Sequence, residues 1–172
     1  MVKKALLIVD MQNDFCRKEG ALFLAKNLEV IPKIKKEIER ARKEKIKIIF
    51  TQDWHDKNDR EFKIWPRHCL KNSWGAEIIE ELEPKKEDII IKKQSYSAFF
   101  ETNLDGVLKS LKIKTLIFSG CVTNICILFT AFAAFERGYE IILKKNCLGY
   151  VNKKDHQFAL NLMKSAFKAK YV

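Results

Sequence analysis

The 172-residue sequence is poor in proline and glycine, with three and six residues respectively, and it lacks any apolar run of the roughly 20 residues that span a membrane. This composition excludes collagen-like and low-complexity chains. The opening MVKKALLIVD is not typical of a secretory signal peptide, because Asp10 interrupts its short apolar run. With 47% hydrophobic and 32% charged residues, we expect one domain covering residues 1–172, soluble, cytoplasmic and not bound to membranes.

The cysteines also lack the pairing that would indicate a disulfide framework or a cysteine-ligated zinc. They are odd in number, widely spaced and without a CxxC motif: Cys16, Cys69, Cys121, Cys126 and Cys147. Reduced thiols in a cytosol are the simpler interpretation.

The net charge of +11 does not by itself indicate nucleic-acid binding. Most lysines alternate with glutamates, as in residues 33–47, which is typical of a solvated helix face. From Lys144 onward, the sequence contains seven lysines and a single acidic residue, Asp155. A non-catalytic protein that binds nucleic acid or acidic partners through this tail is therefore one hypothesis, although our expectation is that no nucleic acid is bound.

Hydrophobic patterning predicts an α/β fold. Five short, β-branched segments are typical of strands buried on both faces, and five segments with helical spacing lie among them. The predicted strands are residues 4–9, 46–51, 88–91, 115–119 and 139–143, and the predicted helices are residues 28–44, 75–82, 103–111, 123–137 and 152–167. Their alternation favours a parallel sheet in a three-layer α/β/α sandwich. Thr123 or Asn124 is expected to cap the fourth helix, Gly138 to end it, and Asn152 with Asp155 to begin the last.

Polar residues follow the predicted strands at the edge where parallel sheets bind ligands. Asp10 ends the first strand, Asp53 follows the second, Lys93 follows the third, and the turn 120–126 follows the fourth. Cys126 falls near the start of a predicted helix, where unpaired N–H groups favour a thiolate. Each residue alone also has an ordinary structural explanation, such as a capping carboxylate or a packed cysteine.

The long loop 52–73 carries three side chains of the types that bind transition metals. Asp53 and His55 are two positions apart, and His68 follows thirteen residues later. Imidazole and carboxylate ligands suit zinc, iron or manganese, and three protein ligands leave positions open for water and substrate. His156, on the predicted last helix, is interpreted as a surface or packing residue.

Taken together, several motifs in one order resemble the isochorismatase-like cysteine hydrolases and, among these, the nicotinamidases. The motifs run from DMQNDF through GAL, DWH, WPRHC, SWGAEI and KKQSYSAF to SGCVTNIC. The resemblance covers nearly the whole chain and implies a single isochorismatase-like, Rossmann-like hydrolase domain with six parallel strands, the last near residues 169–172. One departure is the charged RKE before GAL, which changes the expected edge of the pocket.

The resemblance also implies roles for individual residues. It assigns the catalytic aspartate, lysine and nucleophile to Asp10, Lys93 and Cys126, which leaves Lys92 and Cys121 outside the catalytic set. It implies a cis peptide between Cys121 and Val122, with the backbone N–H groups of Val122 and Cys126 forming an oxyanion hole. It assigns a divalent metal, zinc by preference and otherwise iron or manganese, to Asp53, His55 and His68.

The implied activity is deamidation of nicotinamide, and of pyrazinamide, through a thioester, as in NAD salvage. The metal would anchor the pyridine nitrogen, and Phe15, Trp65 and Tyr96 are candidates to stack against the ring. Hydrolysis of a carbamoyl or ureido amide, or of isochorismate, is the alternative within the same superfamily. The sequence leaves the oligomeric state open, although relatives of this kind often form homo-oligomers.

Overall fold

A computed structural model describes residues 3–172 and contains one six-stranded sheet. The strands are β1 Lys3–Val9, β2 Lys47–Asp53, β3 Ile89–Lys93, β4 Ile113–Gly120, β5 Glu140–Leu148 and β6 Lys170–Tyr171. The α-helices are α1 Asn13–Cys16, α2 Ala25–Lys43, α3 Leu104–Ser110, α4 Leu128–Glu136 and α5 Lys153–Phe167. The predicted strands are present, and so is the short sixth strand.

The sheet is parallel throughout, in the order β3-β2-β1-β4-β5-β6. One hydrophobic core joins it to α3, α4 and α5, and a second core joins its other face to α1 and α2. The three-layer α/β/α prediction is confirmed. The chain builds outward from β1 in one direction and then in the other, so the carboxyl ends of β1 and β4 flank the point where strand order reverses.

The helix α2 shows why these segments form this architecture. Val30, Ile31, Ile34 and Ile38 are buried at helical spacing, while the opposite side is rich in lysine and glutamate. Within residues 3–172, no helix is both long and apolar enough to cross a bilayer.

The start of the fourth predicted helix differs from expectation. A π-helical turn, Thr123–Ile127, precedes α4, and neither Thr123 nor Asn124 caps it, so that prediction is wrong. Thr123 instead donates its hydroxyl to the carbonyl of Gly149 at 2.8 Å. Gly138, with φ of +82°, does follow the end of α4. The Asn152 cap is confirmed, since its side chain accepts a hydrogen bond from the Lys154 amide at 2.7 Å.

The prediction of a helix at residues 75–82 is wrong. Two 3₁₀ turns, Trp74–Ala76 and Glu80–Leu82, flank an extended stretch. The backbone of this stretch forms hydrogen bonds with the loop after β1. The Ile79 amide donates to the carbonyl of Met11, and the Asn13 amide donates to the carbonyl of Glu77. Buried Ile79 and Leu82 are three residues apart and mimic a helical period.

Candidate functional site

The residues singled out from the sequence converge on one pocket of about 360 Å³ at the carboxyl edge of the sheet. Eight of them line it: Asp10, Phe15, Asp53, Trp65, His68, Tyr96, Val122 and Cys126. The other two, His55 and Lys93, lie directly behind the lining with side chains that are 0% exposed. A volume of this size is typical of a small-molecule site.

Lys93 connects the polar groups in the floor of this pocket. Its Nζ lies 2.8 Å from Oδ2 of Asp10 and 3.7 Å from Sγ of Cys126, and it also contacts the carboxylate of Asp53. A further hydrogen bond to the carbonyl of Ser95, at 3.0 Å, orients the ammonium group. Lys92, the neighbour on the strand, points elsewhere and lies 3.6 Å from the ring centroid of Trp54.

Asp10 is positioned by the neighbouring strand. Its backbone adopts a left-handed conformation directly after β1, with φ of 51°. The hydroxyl of Thr51 donates to Oδ1 of Asp10 at 2.5 Å and accepts from the Asp10 amide at 3.2 Å. These two bonds fix both the main chain and the carboxylate of Asp10.

Burial and neighbouring charge set the protonation of the cluster. Burial opposes the charge on Lys93, but the carboxylates of Asp10 and Asp53 outweigh it and raise the pKa of Lys93. Burial raises the pKa of Asp10 although Lys93 opposes the shift. Burial also raises the pKa of the Cys126 thiol well above its ordinary value, against the attraction of Lys93. The resting cysteine is therefore a neutral thiol beside a carboxylate whose basicity is increased, and not the thiolate expected from its position near the start of a helix.

A tight turn after β4 brings Cys126 to the pocket. Gly120 has φ of +105°, and a Cβ there would lie 2.1 Å from the carbonyl oxygen of Val9, so only glycine fits. The following Cys121–Val122 peptide is cis, as the resemblance implies. Cys121 is buried beneath the turn, with its Sγ 3.3 Å from the carbonyl of Asp10.

The three predicted metal ligands form a second cluster beside the first. The Nε2 atoms of His55 and His68 lie 3.8 and 4.0 Å from Oδ2 of Asp53, and one ligand atom from each residue lies within 4.8 Å of the others. Nδ1 of His55 contacts the carboxylate of Asp59 at 3.0 Å, and Nδ1 of His68 contacts the carbonyl of Pro66 at 2.8 Å. Because these acceptors require N–H donors, both Nε2 atoms keep their lone pairs in the neutral rings.

This donor set fits a divalent cation. Nε2 of His55 is buried and has no hydrogen-bond partner among residues 3–172, which is costly unless another group binds there. Two imidazoles and a carboxylate suit zinc, iron or manganese equally well in chemical type.

Sequence reasoning missed Glu61. Its Oε1 lies 3.7 Å from Nε2 of His68, and it lines the pocket. Burial, reinforced by the charge of Asp53, raises the pKa of Glu61 to about 7. Glu61 lies in the charged run KNDREFK, where its residue type gives no distinguishing signal. Its position depends on how the loop 52–73 folds.

Gln12 was also missed, although it organises the donor cluster. Its buried amide donates to the carbonyls of Asp53 and Ala76, each at 2.8 Å, and accepts from the Asp53 amide at 2.8 Å. Gln12 therefore satisfies both backbone groups of Asp53 where β2 ends. Its place in the DMQNDF motif was the available signal.

The aromatic candidates occupy two parts of the wall. Phe15 lies next to His68, with ring centroids 5.7 Å apart. Nε1 of Trp65 donates to the hydroxyl of Tyr96 at 2.9 Å, so these two side chains form a continuous surface. The pocket thus combines the two polar clusters with apolar walls.

Comparison with known proteins places this arrangement in a family. A family model for the isochorismatase domain matches residues 4–170. The uncharacterized isochorismatase family protein YaaI of Bacillus subtilis is 35% identical over 162 residues, covering 94% of this chain and 89% of that protein. The nicotinamidase of Escherichia coli is 30% identical over 199 residues, covering 96% and 93%. The ureidoacrylate amidohydrolase RutB of Serratia proteamaculans is 33% identical over 149 residues, covering 72% and 60%.

Solved structures agree with this assignment. The pyrazinamidase of Pyrococcus horikoshii, in complex with zinc, superposes with a TM-score of 0.93 at 32% identity, covering 99% of this chain and 98% of that one. The N-carbamoylsarcosine amidase of Thermoplasma acidophilum gives a TM-score of 0.90 at 30% identity, covering 99% and 95%. The resemblance seen in the motifs is confirmed. Because the family model spans nearly the whole chain, the protein belongs to the isochorismatase family of hydrolases.

Proposed function

We propose that this hydrolase is a metal-dependent cysteine amidohydrolase that converts nicotinamide into nicotinate and ammonia, and that it also accepts pyrazinamide. One observation carries the proposal: the Asp10–Lys93–Cys126 cluster and the Asp53–His55–His68 donor set meet in a single pocket of about 360 Å³. The first cluster suits attack on an amide carbon. The second suits a cation that holds a heterocycle nearby. Such an activity belongs to NAD salvage.

The first chemical step forms a thioester. Asp10 accepts the proton of the Cys126 thiol as the sulfur attacks the carboxamide carbon, and the amide oxygen becomes negatively charged. The raised pKa of Asp10 makes it a stronger base for this transfer. In this proposal the backbone N–H groups of Val122 and Cys126 stabilise the oxyanion. Asp10 then returns the proton to the leaving nitrogen, and ammonia departs.

The second step releases the acid. Asp10, ionised again, takes a proton from water as the water oxygen attacks the thioester carbon. The C–S bond breaks and Cys126 regains its proton from Asp10. The new carboxyl group loses the remaining water proton to solvent, and the product leaves as nicotinate. Lys93, whose Nζ lies 2.8 Å from Oδ2 of Asp10 in the structure, maintains the orientation of that carboxylate by electrostatic attraction.

Substrate orientation is assigned to the second cluster and the walls. Asp53, His55 and His68 would hold the cation, which supplies a Lewis-acidic position for the pyridine nitrogen. Phe15, together with the Trp65–Tyr96 surface, provides flat apolar area on which an aromatic ring can pack.

A second candidate is hydrolysis of a ureido or carbamoyl amide. It is favoured by the similarity to ureidoacrylate amidohydrolase and N-carbamoylsarcosine amidase, which have comparable identity to the nicotinamidase relative. Those substrates carry no pyridine ring. The donor set beside a pocket that is lined by aromatic side chains supports nicotinamide over them.

The deciding experiment measures ammonia and nicotinate released from nicotinamide, with ureidoacrylate and N-carbamoylsarcosine as competing substrates. We expect nicotinamide to have the highest kcat/KM, and chelation to abolish its turnover until zinc, iron or manganese is restored. Cys126→Ala serves as the inactive control. Preferred turnover of a ureido substrate by chelated protein would replace the first candidate with the second.

A further inference from the structure

His156 is a buried polar residue that lies outside the residues lining the pocket. It belongs to the first turn of α5 and is 8% exposed, and its Nδ1 contacts the hydroxyl of the fully buried Thr123 at 2.9 Å. The sequence left two roles open for His156, at the surface or in packing. Burial excludes the first of these and raises the question of what the contact with Thr123 does.

The direction of this hydrogen bond follows from the second partner of Thr123. The Thr123 hydroxyl has one proton, which it donates to the carbonyl of Gly149 at 2.8 Å. The hydroxyl therefore accepts from His156, so Nδ1 of His156 carries a proton. Burial and the charges of Lys145 and Lys26 lower the pKa of His156, which favours the neutral ring with its proton on Nδ1.

Gly149 connects this pair to the turn after β4. Its carbonyl also accepts the Thr123 amide at 3.0 Å, and its amide donates to the carbonyl of Gly120 at 2.8 Å. The turn is therefore anchored at Gly120 and at Thr123, on either side of the peptide group that carries the Val122 amide. The orientation of the Val122 N–H depends on where Thr123 is held.

Thr123 also begins the π-helical turn that carries Cys126. The amides of Ile125 and Ile127 donate to the carbonyl of Val122 at 3.1 and 3.2 Å, so Val122 and this turn are hydrogen-bonded into one unit. A displacement of Thr123 would therefore change the positions of two backbone N–H groups, those of Val122 and Cys126. These are the N–H groups that the proposed mechanism assigns to the oxyanion.

Packing by itself does not explain a histidine at this position. The ring of Tyr150 covers His156, with ring centroids 4.4 Å apart. An apolar side chain of similar volume would fill the space beside Tyr150 without the cost of burying an imidazole. The property that distinguishes histidine here is the N–H that it donates to Thr123.

We propose that His156 is a positioning residue for amide hydrolysis, which fixes Thr123 and through it the two N–H groups that stabilise the oxyanion. This inference rests on the proposed function, because the oxyanion belongs to that mechanism. Loss of one oxyanion donor costs about 10²- to 10³-fold in kcat, and a misplacement of about 1 Å costs on the order of 100-fold. A loosened turn should therefore lower kcat more than it changes KM.

The test compares two variants of nearly equal shape that differ in the hydrogen-bond donor. His156→Leu removes the donor, whereas His156→Asn places an amide N–H close to the position of Nδ1. With nicotinamide, at a temperature where circular dichroism shows every variant to be folded, we expect His156→Leu to lower kcat about 10- to 100-fold with KM within about threefold. His156→Asn should recover most of the lost kcat.

Thr123→Val tests the other half of the same hydrogen bond. It removes the hydroxyl and nearly preserves the shape of the side chain, so it should lower kcat about as much as His156→Leu. Combining Thr123→Val with His156→Leu should cost no more than either change alone, because both remove one interaction.

Pyridine-3-carbaldehyde provides a measurement specific to the oxyanion. The Cys126 sulfur adds to the aldehyde carbon, the C=O π bond breaks and the thiol proton passes to Asp10, so the adduct oxygen resembles the amide oxyanion. Its inhibition constant should rise about tenfold or more in His156→Leu and stay within about threefold of the wild-type value in His156→Asn.

Wild-type kinetics in His156→Leu, even with a lower Tm, would overturn the proposal and leave His156 as a packing residue. Equal losses of kcat in His156→Leu and His156→Asn would do the same. Failure of the proposed function is visible separately, because wild-type protein would then not hydrolyse nicotinamide. The same variants are in that case compared on the ureido amide that wild type does hydrolyse, and a wild-type protein inactive on every amide would overturn both proposals.

Discussion

The Lys93 ammonium stabilises two buried carboxylates, since it contacts both Asp10 and Asp53. Removing one partner of a buried ion pair leaves an uncompensated charge, which costs about 3–5 kcal/mol. We therefore expect Lys93→Met to be inactive and to lose about that much free energy of unfolding in urea titration. Lys93→Met combined with Asp10→Asn should recover part of the stability and none of the activity. If Lys93→Met alone were as stable as the wild-type protein, Lys93 would not stabilise the two carboxylates.

The Thr51 hydroxyl stabilises the ionised form of Asp10 by donating to Oδ1. Thr51→Val should reduce kcat about 10- to 100-fold near neutral pH with little change in KM, because a hydrogen bond to a charged group contributes about 1.5–3 kcal/mol and its loss leaves a smaller fraction of Asp10 ionised to act as the base. Loss of this bond raises the pKa of Asp10 further. Asp10 acts as a base only when ionised, so the acid limb of the kcat/KM profile should move to higher pH. Thr51→Ser keeps the hydroxyl and should preserve the wild-type profile; an unshifted profile in Thr51→Val would exclude this role.

The sequence was informative for residues at strand ends and uninformative for residues that depend on loop shape. Asp10 and Lys93 could be placed because parallel strands bring their carboxyl ends to one edge. Glu61 could not be placed, because it reaches the pocket only through the path of the loop 52–73. Thr51 reads as a buried strand residue, and its bond to Asp10 depends on the register of β1 against β2.

At the scale of elements, the error at residues 75–82 shows where hydrophobic period fails. The buried residues Ile79 and Leu82 have the spacing of a helix. However, the backbone of this segment forms its hydrogen bonds with the loop after β1 instead of within a helix. Long helices with wide apolar stripes, such as α2, were predictable because no neighbouring backbone competes for their hydrogen bonds. The conformation of a short segment beside a loop depends on its tertiary contacts more than on its hydrophobic spacing.

Gly75, in the first 3₁₀ turn of that segment, provides an element-scale prediction. A Cβ at this position would lie 2.1 Å from Oδ2 of Asp14, and the carboxylate of Asp14 accepts the amides of Cys69 at 2.6 Å and Ala21 at 3.0 Å. Gly75→Ala should therefore displace Asp14 and lower the free energy of unfolding by about 1–3 kcal/mol.

The control for this prediction is Gly106→Ala. Gly106 lies within α3, and a Cβ added there would meet no other atom of the described part of the chain within 4 Å. Alanine should therefore stabilise the protein by about 0.5–1 kcal/mol. Urea titration of both variants provides the measurement. If both variants changed the free energy of unfolding by the same small amount, Asp14 would move at no cost. Its hydrogen bonds would then not stabilise the 3₁₀ turn.

At the scale of the whole molecule, a bound cation should stabilise the folded state, because its ligands come from the end of β2 and from a loop that unfolding separates. Zinc at a hundred times its dissociation constant contributes about 2.7 kcal/mol, which corresponds to a rise in Tm of roughly 5–10 °C for a chain of this size. His68→Ala should show no rise in Tm when zinc is added.

His156→Ala is the control, since buried His156 contacts the hydroxyl of Thr123 at 2.9 Å and lies outside the donor set. It should melt at a lower temperature and still respond to zinc. Differential scanning calorimetry with and without zinc measures both effects, and an equal zinc response in His68→Ala and wild type would place the cation elsewhere.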